Sequence, residues 1–353
     1  MSMRISTEVL VVGGGPAGSA AAFWAAQSGR MVVLLEKDVM PRDRVCGDAV
    51  TPKAVGHLAE MGIDVTDKRF HKHRGLRMTA HGQSIELRWP TDHDHPSHGL
   101  IIRRNTFDKL LIDHAANEGA QVWTGVEVLQ PIVEHGHLRG CQALGSGKGS
   151  GPEGTIEVRA KFVIIADGPL SPFGRALGTA RTRRYAQGVA MRGYFPSPKH
   201  NEDIIESVFD LRDGNGHQLP GYGWVFPVGD GTVNTGVGLL SPHHGNDPSS
   251  IQQLFEQWLI QLPENWEIDI SNPEMSPKSG RLPMGASVRP RSGPNWLVVG
   301  DAAGSVNPFN GDGIEPALTN GKLADSVTNT AIKTGDGLEL RLYEQELASR
   351  YDH

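Results

Sequence analysis

The chain has 353 residues, room for about two domains at the usual ~100–200 residues each. Hydrophobic residues make up 38% beside 44 Gly and 23 Pro, which describes a loop-rich globular enzyme and excludes a fibrous or disordered chain. The net charge of −6 argues against nucleic-acid partners, whose phosphates need a basic surface.

Only two cysteines occur, Cys46 and Cys141, too few for a disulfide framework, so a reducing cytoplasm is expected. The opening MSMRISTEVLVVGGG runs into a strand instead of a signal-peptide apolar region. No apolar run approaches the ~18 residues of a spanning helix, so any membrane contact is expected at the surface. The fifteen His include His71/His73, His93/His95/His98, His135/His137 and His243/His244. They sit in polar, turn-rich segments without Cys or Glu at ligand spacing, and no metal site is expected.

In chain order, Glu8–Val12 reads as a buried strand, Pro16–Ser28 as a helix and Met31–Leu35 as a second strand, a βαβ unit. Gly13, Gly15 and Gly18 form G-x-G-x-x-G between that strand and helix. The first glycine permits the turn, the second lets backbone approach a pyrophosphate, and the third lets helix pack on strand. Glu36 closes the second strand, where an acid accepts ribose hydroxyls and disfavours a 2′-phosphate. His73–Ala80 with Gln83–Trp89 reads as a hairpin. The run Gly145–Gly154 reads as a hairpin tip, because no helix start follows it. Phe162–Ala166 is a short apolar strand ending in Asp167-Gly168, and such runs with helices between them suit a parallel sheet.

Gly188–Phe195, Ile205–Leu211, Gly223–Pro227 and Thr232–Leu239 read as further antiparallel strands. Within them Tyr222, Trp224 and Phe226, followed by Pro227, alternate so that the aromatics share one face. Ser249–Leu262 reads as an amphipathic helix with Ile251, Leu254, Phe255 and Trp258 on one side. The strand Trp296–Val299 ends in Gly300-Asp301, and Gly311 and Gly313 precede a helix beginning near Ile314. The amides of that helix end would face the N1–C2=O edge of a flavin ring, which carries negative charge when reduced. Two glycine-rich loops at opposite ends of the chain therefore point to FAD over NAD.

The set GGGPAGSAAA, Arg44-Val-Cys46-Gly47-Asp48, Asp167-Gly168, LPGYGWVFP and GDAAGSVNPFNGDGI resembles the geranylgeranyl reductase family, as do HRGLRM, GVAMRGYF and RLPMGASV. The resemblance covers nearly the whole chain. It implies an α/β fold: an FAD-binding Rossmann-like domain of the glutathione-reductase/p-hydroxybenzoate-hydroxylase type with an inserted antiparallel β-sheet substrate domain. The corresponding division is 1–72, 99–186 and 275–335 for the FAD-binding parts, 73–98 and 187–274 for the substrate domain, and 336–353 for a C-terminal helix. The family continues into a longer C-terminal segment, so a shortened end is expected. Its C-G-G/D-G motif is here Cys46-Gly47-Asp48-Ala49, with Ala in place of the last Gly.

The resemblance implies non-covalent FAD held at Gly13, Gly15, Pro16, Ala17, Gly18, Glu36, Lys37, Arg44, Cys46, Gly47, Arg104, Asp167, Gly168, Asp301, Pro308, Gly311, Gly313 and Ile314. Arg104 would sit near the pyrophosphate, and Asp301 with the Gly313 turn would line the ribityl chain and ring. It places Tyr222, Trp224, Phe226 and Pro227 in the substrate cavity and Cys46 near flavin and lipid. Cys46 and Tyr222 are the catalytic candidates, with water a third proton source, and Arg42 and Arg44 would lower the Cys46 thiol pKa if they point at it.

The implied reaction saturates a C=C bond of a polyprenyl lipid, first the isoprenoid tail of menaquinone, at the cytoplasmic membrane surface. The electron donor is NAD(P)H or a redox protein. Alternatives are another isoprenoid lipid, or a flavin monooxygenase or halogenase of the same fold, since GYGWVFP approaches the halogenase G-W-x-W-x-I-P. A lipid carrier without catalysis is opposed by the intact glycine motifs.

Overall fold

The computed structural model describes residues 3–91, 95–182, 185, 187–213, 215–241 and 251–351. His93, His243, His244 and the first two residues expected in the Ser249–Leu262 helix lie outside them. The chain alternates between two units, the first made of Met1–Arg42, Asn105–Tyr185 and Pro283–His353, the second of Asp43–Arg104 and Ala186–Leu282.

In the first unit the strand Met3–Val12 lies between Val32–Glu36 and Gly154–Ile165, parallel to both, with Val12 opposite Leu35 and Ile165. Gln121–Thr124 extends the parallel order beyond Val32–Glu36, and Trp296–Val298 pairs with Gly154–Ile165. The central strands are continuous apolar runs because both sheet faces are covered. The parallel core suits the expectation, and antiparallel strands extend it on one side. His137–Gly145 pairs antiparallel with Gly154–Ile165, and Val126–Glu134 follows it antiparallel. That hairpin joins at Gly145 opposite Gly154, the tip read from the glycine-rich run.

Two helices close over this sheet. Pro16–Gln27 has mostly Ala, Gly and Ser on its buried positions, with Phe23 the one large side chain among them, and Ile314–Thr334 packs against it. The approach is close at Gly321, where an added Cβ would sit 2.6 Å from the Ala17 carbonyl oxygen. The loop before the second helix carries Phe309, 89% exposed.

The second unit holds a seven-stranded sheet in the spatial order Lys278–Pro283, Gln187–Pro196, Thr232–Ser241, Gly221–Pro227, Ile204–Val208, Gly75–Ala80, Gln83–Arg88. The hairpin Gly75–Ala80 with Gln83–Arg88 forms as expected. Ile204–Val208 pairs antiparallel with Gly221–Pro227 as expected, but it runs parallel to Gly75–Ala80 on its other side and ends at Val208, short of the expected Leu211. One face is aliphatic: Val225, Val233 and Val237 pack with Leu254, Phe255 and Trp258 of the helix Ile251–Ile260. Gly223 makes that possible, since its added Cβ would lie 2.5 Å from the Trp258 ring. The other face carries the aromatic strand.

Candidate functional site

Each glycine of the first loop has its own steric reason. Gly13 has φ +104, and an added Cβ would lie 2.3 Å from the Ala166 carbonyl oxygen. At Gly18 the Cβ would meet the Gly13 carbonyl at 1.9 Å, so helix and strand touch through bare backbone. Gly15 differs: the nearest heavy atom to its added Cβ is Arg42 Nη2 at 3.8 Å, an ordinary contact distance, so this position is uncrowded. Pro16 begins the helix without needing an amide donor, and Ala17 and Gly18 continue its first turn. The free helix end and the uncrowded side of Gly15 together form a cradle for an anion.

Glu36 lies buried at the end of its strand, where its Oε2 accepts the Gly14 N–H at 2.8 Å and its Oε1 the Asp38 N–H at 3.0 Å. Arg42 bridges Glu36, at 3.4 Å, to the fully buried Asp108. A carboxylate has about four lone-pair sites, so Glu36 keeps capacity for a ribose hydroxyl beside these contacts. Lys37, next along, is exposed.

The distal loop of the first unit is equally tight. Gly300 has φ +60 and its added Cβ would meet Ala17 at 2.7 Å. Asp301 follows it in a short helical turn, with its Oδ1 3.5 Å from where a Cβ on Gly313 would stand. Gly311 takes φ +73, and Pro308 is exposed. The end of the Ile314–Thr334 helix is capped by its own chain, since Asp312 Oδ1 accepts the Ile314 amide at 3.0 Å and the Glu315 amide at 3.2 Å. The sequence reading, which aimed these amides at a flavin ring, did not anticipate that cap. Asp167 also has a local partner set: it accepts Ser171 Oγ at 2.6 Å and the Phe173 amide at 2.9 Å, beside Gly168 at φ +81. Burial raises its carboxyl above the ordinary range.

In the second unit the aromatic face is built by strand register. Tyr194 lies opposite Asn234, which lies opposite Phe226, a row across three strands. The next row is Arg192, Gly236, Trp224, and the next Ala190, Gly238, Tyr222. The alternation Asn234-x-Gly236-x-Gly238 clears a bed for the indole, because a Cβ on Gly236 would lie 2.4 Å from the Trp224 ring. Ring centroids step along the strand at 6.1 Å from Tyr222 to Trp224 and 6.1 Å from Trp224 to Phe226. The face is not an open groove along its length: Trp224 is 5% and Phe226 8% exposed, Pro227 is buried, and Tyr222 is half-buried.

The Cys46–Asp48 turn covers the inner part of this face. A Cβ on Gly47 would lie 2.8 Å from the Phe226 ring and 3.5 Å from Trp224 Nε1, so only glycine lets the turn lie against the rings. The half-buried Cys46 has its thiol pushed up by burial, while Arg104 and the Asp48 amide hydrogen-bond the sulfur and pull the other way. This corrects the expectation that arginines at positions 42 and 44 lower it. Arg42 is engaged by Glu36 and Asp108, Arg44 donates to the Asp43 carbonyl at 3.3 Å, and the arginine at the sulfur is Arg104. Arg104 also donates its backbone N–H to Asp48 Oδ1 at 3.2 Å. Cys141 is buried in its hairpin, with its thiol pushed up to about 12.

The residues that sequence reasoning missed are Asp48, Tyr194 and Asn234, buried polar groups tied to one another beside Cys46. Burial raises Asp48 to about 6, against the opposing effect of hydrogen bonds from Tyr194 and Asn234. The signal available was small: a lone Asn alternating with glycines beside the aromatic strand. Among the described residues, no group of three or more His, Cys, Asp or Glu could hold a metal ion, and no helix is long and apolar enough to cross a membrane.

Comparison with known proteins gives the family and the fold. The family model of the FAD binding domain matches residues 6–345. The chain is 37% identical over 352 residues to a menaquinone reductase of Mycobacterium tuberculosis, covering 99% of this chain and 82% of that one. It is 30% identical over 344 residues to digeranylgeranylglycerophospholipid reductase 1 of Methanosphaera stadtmanae, covering 96% and 79%. Among solved structures, a geranylgeranyl bacteriochlorophyll reductase-like protein of Thermoplasma acidophilum superposes with a TM-score of 0.83 at 27% identity, covering 99% of this chain and 84% of that one.

Proposed function

The chain belongs to the FAD-binding-domain family, with the fold of the p-hydroxybenzoate-hydroxylase type, and from that premise we propose that this flavin oxidoreductase saturates a C=C bond of a polyprenyl chain, first the isoprenoid tail of menaquinone. The observation that carries the reading is the Tyr222–Trp224–Phe226 face with the Cys46 turn laid on it, in a chain whose relatives are named as menaquinone and digeranylgeranyl lipid reductases. An isoprenoid offers no hydrogen bonds, so its binding energy comes from buried apolar area at ~25 cal/mol per Å². Tyr222 and Gly238, at the less covered end of the face, are where the lipid would begin.

The residues of the first unit suit FAD. Gly15 is uncrowded beside the helix start at Pro16, with only Arg42 Nη2 near its added Cβ, which suits a pyrophosphate, and Glu36 keeps acceptor capacity for the ribose. Bound FAD, once reduced by the electron donor, would supply the hydride. This chain's task is then the proton. An isolated trisubstituted alkene has no carbonyl to hold negative charge, so proton addition must keep pace with hydride transfer. The Cys46 thiol, raised by burial, stays protonated at neutral pH and suits an acid more than a nucleophile. Tyr222 is the second candidate donor. Cys46→Ala is expected to slow alkene reduction while leaving FAD bound, and equal turnover by the variant removes Cys46 from the mechanism.

The electrons come from NAD(P)H or a redox protein, and the lipid is met at the cytoplasmic membrane surface. With a net charge of −6, attachment must be apolar, and Phe309 is the most exposed large apolar side chain among the described residues. Failure of the protein to float with liposomes would contradict surface attachment. The reaction is tested by mass spectrometry of menaquinone from cells with and without the chain: a gain of two hydrogens in the tail is expected, and an unchanged tail counts against it.

A further inference from the structure

We infer that Asp48 is a positioning residue which, through Asn234 and Tyr194, holds the Cys46–Gly47 turn on the aromatic strand and so sets the direction of the Cys46 thiol. The inference rests on the reading that Cys46 takes part in the reaction.

The geometry is that of a fully used network. Asp48 is completely buried at φ +66, a conformation favoured by Gly, Asn and Asp among all residues. Its Oδ2 accepts the Tyr194 hydroxyl and, at 2.9 Å, Asn234 Nδ2; its Oδ1 accepts the Arg104 amide at 3.2 Å. Asn234, also completely buried, donates from the same Nδ2 to the Cys46 carbonyl at 2.8 Å and accepts Trp224 Nε1–H at 3.0 Å on its Oδ1. Only one orientation of this amide satisfies both sides, since the indole can only donate and the carboxylate and carbonyl can only accept.

Tyr194 is held in turn. The guanidinium carbons of Arg103 and Arg192 each lie 4.5 Å from its ring centroid, and Arg192 also donates to the Arg44 carbonyl at 3.0 Å. Burial and the Asp48 charge raise the Tyr194 phenol, which therefore stays a donor. The consequence for Cys46 is specific. Asn234 fixes its carbonyl, while the Asp48 amide and Arg104 hold its sulfur. A turn that needed only to be buried would be served by apolar contacts, which leave no polar group at risk of desolvation. The titratable and charged groups that face Asp48 are Tyr194 and Arg192 from the Gln187–Pro196 strand, Arg104 from the adjacent helix start, and Cys46 of its own turn.

The test reads the thiol directly. In the FAD-loaded protein, alkylation of Cys46 by iodoacetamide is followed by mass spectrometry across pH, with the buried Cys141 as internal control. Asp48→Gly removes the carboxyl without backbone strain, Asp48→Asn keeps the shape and removes the charge, and Tyr194→Phe removes one donor. Asp48→Gly is expected to speed Cys46 alkylation about tenfold, the factor one ordinary hydrogen bond represents. Tyr194→Phe gives a smaller rise, and Asp48→Asn abolishes the change in rate expected of the wild type around pH 6. Single-turnover alkene reduction, read at saturating FAD, falls in all three. Identical alkylation rates and pH profiles in wild type and folded variants overturn the inference; if Asp48→Gly does not fold, Tyr194→Phe and Asp48→Asn decide. Altered alkylation in a protein that reduces no polyprenyl alkene overturns the functional reading instead, and leaves Asp48 as the group that holds the turn.

Discussion

The two units prepare their chemistry with opposite materials. The loop of the first unit is made of main chain and small residues: Gly13, Gly15 and Gly18 leave out side chains so that strand, helix and a ligand can share one place. The face of the second unit is made of large side chains, Tyr194, Asn234, Trp224 and Phe226, locked by register and by buried hydrogen bonds. The first arrangement is vulnerable to any added atom. The second is vulnerable to the loss of a partner, because a buried donor or acceptor left alone costs about 1–3 kcal/mol.

The sharpest way to break this contrast is Gly18→Ala. Its methyl would stand 1.9 Å from the Gly13 carbonyl oxygen, so strand and helix must part. FAD affinity is expected to fall about 100-fold, near 3 kcal/mol, in a fluorescence titration. Unchanged affinity would mean that close packing there is not what shapes the cradle.

The second unit predicts a pH effect with two opposing parts. Asp48, raised from 3.8 to about 6, favours the folded state fully below pH 4, and that contribution is lost as pH rises through about 6. His73, lowered by burial from 6.5 to about 4, does the reverse: its contribution is complete above pH 6.5 and is lost as pH falls through about 4. Each is worth about 3 kcal/mol, at ~1.4 kcal/mol per pK unit, so together they nearly cancel across this window. Asp48→Asn uncovers the His73 part, and urea denaturation of the variant should show stability climbing between pH 4 and 6.5. A variant curve identical to that of the wild type would remove Asp48 from the balance.

A smaller effect follows from the bed under the indole. Gly236→Ala places a methyl 2.4 Å from the Trp224 ring and is expected to cost about 1–3 kcal/mol by overpacking, read from the denaturation midpoint. An unchanged midpoint would mean that the indole bed tolerates a methyl there.

The difference in materials also explains what was legible beforehand. A glycine demanded by a positive φ or a backbone contact leaves a local mark, so Gly13, Gly18 and the Gly300–Gly313 stretch stand out within a few residues. The shared face of Tyr222, Trp224 and Phe226 follows from alternation within one strand. Asp48, Tyr194 and Asn234 meet only through pairing of Gln187–Pro196 with Thr232–Ser241 and the return of the Cys46 turn. No local pattern encodes that meeting. The same holds for Asp312, whose capping of the Ile314 and Glu315 amides depends on the exact path of its loop.

The central claim is that this chain reduces an isoprenoid alkene with FAD, and anaerobic reoxidation tests it most directly. The flavin is photoreduced, a polyprenyl quinone already in its quinol form is added without oxygen, and the absorbance and the mass of the lipid are followed together. Reoxidation of the flavin matched by two hydrogens gained in the tail is the predicted result. A flavin that stays reduced until oxygen is admitted, with the tail unchanged, would contradict the account.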